Sequence, residues 1–172
     1  MSTNKLLFIF FSCFFSIAAT AQTPYTITPD DHTPGQLVYK GIINKYTLMN
    51  EPSFNWYVYN QSSYNISTEM LNGFEKAKSN IHFILFGGTW CDDTQFILSR
   101  FFKLQEKVGI ADSTITFFGV DRNKKTIGNV AEAFQITRVP TIIVMKDGQE
   151  VGRLVEYGKT GSWDTELMSF IK

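Results

Sequence analysis

The run Phe86-Gly87-Gly88-Thr89-Trp90-Cys91-Asp92-Asp93-Thr94 constrains this chain more than any other stretch. It carries an apolar strand, Ile81 to Phe86, through a glycine turn into the start of a helix, with a cysteine at the junction. Free backbone N–H groups and the positive end of the helix macrodipole lie at such a junction and favour thiolate over thiol. A buried free cysteine would act as a small apolar residue. Asp92 and Asp93 follow at once, however, and carboxylates are rarely buried unpaired. The expectation is a partly exposed, reactive thiol.

The compartment bears on what that thiol can do. Lys5 precedes an apolar run from Leu6 to Ala19, and Ala19-Thr20-Ala21 presents small residues at the two positions a signal peptidase reads. The run is short for a membrane span, which needs about 20 residues. Residues 1–21 are therefore expected to be a cleaved export signal, giving a periplasmic or secreted protein with no stable membrane span in the mature chain. Lipid attachment at Cys13 is a weaker alternative, since Phe10-Phe11-Ser12 before it lacks the usual branched or small residues. Loss of the signal leaves Cys91 as the sole cysteine in an oxidising compartment. Such a thiol is reactive, paired between molecules as a Cys91-linked homodimer, or protected by burial.

The composition is globular, with 44% hydrophobic and 19% charged residues and a formal charge of zero. Lysines and arginines are scattered rather than gathered into a stripe, which argues against a nucleic-acid partner. A chain of 172 residues has room for one domain with an N-terminal extension.

In the extension, residues 22–65, Pro24, Pro29, Pro34 and Gly35 mark an irregular start. Gln36 to Ile42 and Phe54 to Tyr59 then read as strands, the second with Phe54, Trp56 and Val58 on one face. From residue 66 the pattern is clearer. Ser67 caps a helix through Phe74 to about Ser79, and the strand Ile81 to Phe86 follows, with His82 as a strand-end residue. A helix from Asp92 to Val108 buries Phe96, Ile97, Phe101, Leu104 and Val108. Ile115 to Val120 is a strand, Ile127 to Phe134 a short helix and Ile142 to Met145 a strand. Asp147-Gly148 turns into Glu150 to Glu156, and Ser162 caps the last helix. This order gives an α/β domain over residues 66–172, with a central mixed sheet flanked by helices and a β-rich extension before it.

Trp90-Cys91-x-x-Thr94 after a buried strand, Asp121 ending the next strand, Val139-Pro140-Thr141 opening the third, Lys146-Asp147-Gly148 at the hairpin and Gly158 before the final helix together resemble the thioredoxin superfamily. The resemblance implies a cis peptide bond at Pro140 facing Cys91. It also implies a backbone at Val139 that pairs with an extended substrate peptide, and a Trp90 that shelters the thiol.

Two departures limit what carries over. The family's usual resolving cysteine is Thr94 here, and the buried acid often found in the preceding strand is Leu85. Thr94 is expected to hydrogen-bond the Cys91 sulfur or, equally, the backbone. The resemblance then implies a monothiol oxidoreductase, with catalytic Cys91 and Thr94 and with Trp90, Val139 and Pro140 at the substrate. Its partners would be exported proteins or low-molecular-weight thiols held as mixed disulfides, and an external thiol would resolve them. The alternative is a non-catalytic module that binds peptides in the same groove. One thiolate beside Asp92 and Asp93 offers no spacing that converges on a metal, and neither a metal nor a cofactor is expected.

Overall fold

The computed structural model describes residues 23–171. The expected export signal, with Cys13, lies outside the described residues. Six strands form one sheet in the order β1-β2-β4-β3-β5-β6. They are β1 (Tyr25–Pro29), β2 (Leu37–Ile43), β3 (His82–Gly87), β4 (Ile115–Gly119), β5 (Thr141–Lys146) and β6 (Gln149–Val155). Only β3 and β4 run parallel among these neighbours; every other adjacent pair is antiparallel. The helices are α1 (Lys45–Asn50), α2 (Asn55–Ser62), α3 (Thr68–Ala77), α4 (Asp92–Val108), α5 (Val130–Ala133) and α6 (Trp163–Ser169). This is the mixed, helix-flanked sheet expected from the sequence.

The central strand β3 explains the layering, because alternate side chains of a strand leave on opposite faces. Phe83 and Leu85 enter the larger core, shared with Phe74 of α3, Phe101 and Phe102 of α4 and Leu167 of α6. Phe86 enters a smaller core under α5, with Phe118, Val139 and Ile143. Phe83 stacks on Phe74 at 6.2 Å and meets Phe101 edge-on at 5.0 Å. Each such buried ring contributes on the order of 1.5–3 kcal/mol.

The helix ends follow local chemistry. Ser67 Oγ accepts the Met70 N–H to start α3. Gly109 stops α4 because it takes a left-handed conformation, φ 72°, and its N–H returns to Gln105 and Glu106 carbonyls. Ser162 precedes α6 without a side-chain cap bond.

The extension departs from the expected β-rich segment in three places, the first being helix α1 over Lys45–Asn50, started by the Asn44 side chain accepting the Thr47 N–H. Residues 55–62 form helix α2 rather than a strand over Phe54 to Tyr59. Phe54 and Tyr57 are buried while Val58 and Tyr59 face outward, so one helical side, not alternate residues, meets the core. The segment marked by Pro24 and Pro29 contains β1, an edge strand whose missing donors a sheet edge tolerates. β1 and β2 extend the central sheet beside β4, and Tyr39, Phe54 and Tyr57 belong to the larger core. The aromatic residues of the extension are thus part of one continuous interior.

Candidate functional site

The turn between β3 and α4 is held from three sides. Gln95 Nε2 of α4 donates to the Thr89 carbonyl at 2.9 Å, and the Cys91 N–H donates to the Gly88 carbonyl at 2.9 Å. Thr89, fully buried, donates its hydroxyl to the Leu37 carbonyl at 2.6 Å and accepts the Tyr39 N–H at 3.2 Å. The extension's β2 is thereby stitched to the turn that presents the cysteine.

Cys91 is the N-cap residue of α4, extended at φ −101°, and half-buried. Its Sγ donates to the Val139 carbonyl oxygen at 3.4 Å, and the Val139–Pro140 peptide bond is cis. The structure therefore brings Cys91, Val139 and Pro140 together. Trp90 lies beside them, and its indole N–H donates to the Val120 carbonyl at 3.0 Å. The ring packs over Gly88, where a Cβ would stand only 2.5–2.8 Å from indole atoms. A side chain there would force the ring away.

Thr94 is not bonded to the sulfur. It is 2% exposed, and its Oγ1 accepts the Gly88 N–H at 3.3 Å. Of the two partners expected for the hydroxyl, the structure gives it the backbone one: it satisfies the buried donor of the turn, which would otherwise be left without a partner. Leu85, at the position of the missing acid, is fully buried. His82 is exposed at the start of β3 and away from the thiol, as a strand-end residue.

An open cleft of about 580 Å³ runs beside Cys91. It is lined by Thr33 and Gln36, from the loop between β1 and β2, and by Trp90, Cys91, Asp92, Asp93 and Arg122. Arg122 is gripped by Asp30 at two points, Nε to Oδ1 and Nη2 to Oδ2, each 2.6 Å, and its guanidinium lies 4.7 Å from the Trp90 ring centre. The hydrogen bond and charge of Arg122 hold the Asp30 carboxyl down at about 2 despite burial. Asp30 raises Arg122 in return. On the other side, burial followed by the charge of nearby Asp93 pushes the Tyr157 phenol above its ordinary range.

Asp30, Thr33, Gln36 and Arg122 carry no motif that marks them in the sequence. The only available signal is that Arg122 follows β4, which runs parallel to β3 and so ends at the same end of the sheet as Cys91. Asp92 and Asp93 occupy the first turn of α4, where acids stabilise a helix. Among the described residues, no group of three or more His, Cys, Asp or Glu side chains is arranged to hold a metal ion, and no helix is long and apolar enough to cross a membrane.

Comparisons with known proteins converge on one family. The model described as Thioredoxin matches residues 65–172. A thioredoxin of Coprinus comatus is 34% identical over 104 residues, covering 59% of this chain and 90% of that protein. Thioredoxin H3 of Arabidopsis thaliana is 35% identical over 82 residues, 48% of this chain and 64% of its own. A thioredoxin of Staphylococcus haemolyticus is 32% identical over 85 residues, 48% and 75% of the two chains.

Proposed function

Because the chain belongs to the thioredoxin family, whose chemistry is thiol-disulfide exchange, we propose that it acts as an exported monothiol exchange protein through Cys91. The observation that carries this reading is the placement of a half-exposed thiol at the start of α4, 3.4 Å from the Val139 carbonyl and beside an open cleft of about 580 Å³. Export is inferred from the run Lys5 to Ala21, and the site of action from it is the periplasm or the exterior.

In this reading the Cys91 thiolate attacks one sulfur of a disulfide R–S–S–R′. A Cys91–S–S–R bond forms, the original S–S bond breaks, and R′S⁻ leaves to take up a proton. Thr94 carries no thiol, so an external thiolate attacks the adduct and releases Cys91. Val139 holds its carbonyl 3.4 Å from the sulfur with the cis Pro140 behind it, Trp90 shields one side of the sulfur, and Thr94 acts as a positioning residue by holding the Gly88 N–H.

The test is to incubate the folded chain with hydroxyethyl disulfide and follow adduct mass and released thiol. One adduct on Cys91, lost in Cys91→Ser and reversed by added thiol, is expected. Should the folded protein form no adduct while the urea-unfolded chain does, the exchange reading fails and a peptide-binding module takes its place. A non-reducing gel reports the Cys91-linked homodimer in the same samples.

A further inference from the structure

We infer that the Cys91 cleft selects disulfide partners by charge, favouring cationic over anionic ones; this rests on the exchange reading above. Among the described residues, Arg122 is the one cation that lines the cleft, and it is spent internally. Both of its contacts to Asp30 are 2.6 Å, Nη2 also faces Thr33 Oγ1 at 3.4 Å, and the Asp30 side chain is 1% exposed. A two-point guanidinium–carboxylate pair presents almost no net charge to a ligand. What remains on the lining is Asp92 and Asp93, neither of which has an ion-pair partner among the described residues.

The surroundings add to this imbalance. Asp31 follows Asp30 and acts on Arg122 from the same loop. An opposing charge is Lys124, whose ammonium lies 5.7 Å from the Trp90 ring centre and donates to the Arg122 carbonyl at 3.0 Å. Lys40 is paired with Asp121 at 2.8 Å. Once the Asp30–Arg122 pair cancels, the charges left on the cleft lining are the two carboxylates of Asp92 and Asp93. The incoming disulfide must bring its substituents along the same lining, because attack requires its sulfur in line with Cys91 Sγ. Anionic substituents meet repulsion there, and ammonium substituents meet attraction.

The step itself is the exchange already described. One S–S bond breaks and another forms, the departing thiolate carries the electron pair, and charge selection enters only through the approach. Each carboxylate at about 7 Å changes the local concentration of a singly charged group by roughly threefold in water of low ionic strength. The loop that immobilises Arg122 comes from the extension, so this discrimination is a contribution of residues 30–36 to the site.

The experiment measures initial rates of Cys91 adduct formation in the full chain with three probes: cystamine, hydroxyethyl disulfide and dithiodipropionate. Each rate is divided by that of the same probe with a neutral cysteine peptide amide, which removes intrinsic reactivity. The expected order is cystamine, then hydroxyethyl disulfide, then dithiodipropionate, with a cation-to-anion spread on the order of 80-fold at low salt that collapses at high salt. Asp92→Asn, at an exposed position, should narrow that spread by about ninefold. Asp30→Asn should release the Arg122 charge and raise the dithiodipropionate rate selectively. Equal normalised rates, or a preference for the anion, overturn the charge selection while leaving exchange intact. No adduct with any probe, the neutral one included, overturns the exchange reading itself.

Discussion

Cys91 and Val139 stand 48 positions apart in the chain, yet the thiol of one donates to the backbone carbonyl of the other at 3.4 Å. Because a hydroxyl can make the same contact, the sulfur can be removed without removing the donor. Cys91→Ser should therefore shift stability by less than about 1 kcal/mol, the net worth of one hydrogen bond. All adduct formation should be lost. Chemical denaturation beside the disulfide-exchange assay checks both halves; residual exchange in the serine variant would exclude Cys91 as the nucleophile.

Thr94 supplies the acceptor for the Gly88 N–H from a position 2% exposed. Thr94→Val removes that acceptor while keeping the shape, and should destabilise the fold by about 1–3 kcal/mol, the cost of a buried unsatisfied donor. Thr94→Ser keeps the acceptor and gives up one methyl, for about 1 kcal/mol. A valine variant as stable as wild type in urea melts would contradict the assigned bond. Thr94→Cys should convert the single-thiol cycle into one that releases its own adduct as an internal disulfide, visible as a two-proton mass loss after oxidation.

Gly88 faces the Trp90 indole so closely that Gly88→Ala must displace the ring or strain the turn. The cost expected is about 1–3 kcal/mol. The indole N–H should lose its bond to the Val120 carbonyl. Loss of protection of that proton from solvent exchange, with faster alkylation of Cys91, is the outcome sought. An unchanged indole signal would show that the turn yields instead.

The Asp30–Arg122 pair predicts an acid limb of stability. Folding lowers the Asp30 carboxyl to about 2, against about 3.9 for a free aspartate. The folded state then binds fewer protons than the unfolded one between these values, so the contribution is present above pH about 4 and disappears as pH falls toward 2. Asp30→Asn should lower the melting temperature at pH 6 and converge with wild type near pH 2. Parallel curves across that range would show that the pair carries no linked proton.

Much of the scaffold was legible because the relevant signals are local. The bounds of α4 follow from a stripe at helical spacing and a glycine stop, and those of β3 and β5 from apolar runs buried on both faces. The stretch Phe54 to Tyr59 misled because six consecutive residues include four aromatics, so alternate positions look apolar although α2 has almost no amphipathic bias of its own. Its helical state follows from packing Tyr57 against Phe102 of α4, a tertiary contact. Trp90, Cys91, Val139 and Pro140 could be picked out by their order along the chain. Arg122 and Asp30 could not, since a pair separated by 92 positions leaves no periodicity. For Thr94 two acceptable partners lie within reach of the hydroxyl, and only the folded turn decides between them.

The seam between β2 and β4 separates inheritance from architecture. The segment that matches the family, residues 65–172, holds Cys91 and the Val139–Pro140 loop, but β4 borders β2 of the extension rather than solvent. Trimmed to the inherited segment, the chain would bare a strand edge open to non-native pairing, and would lose Leu37 and Tyr39 from Thr89 and Asp30 from Arg122. Transplanting the Cys91 turn into another host thus requires moving residues 65–172 together with the strand that closes their sheet from the N-terminal side.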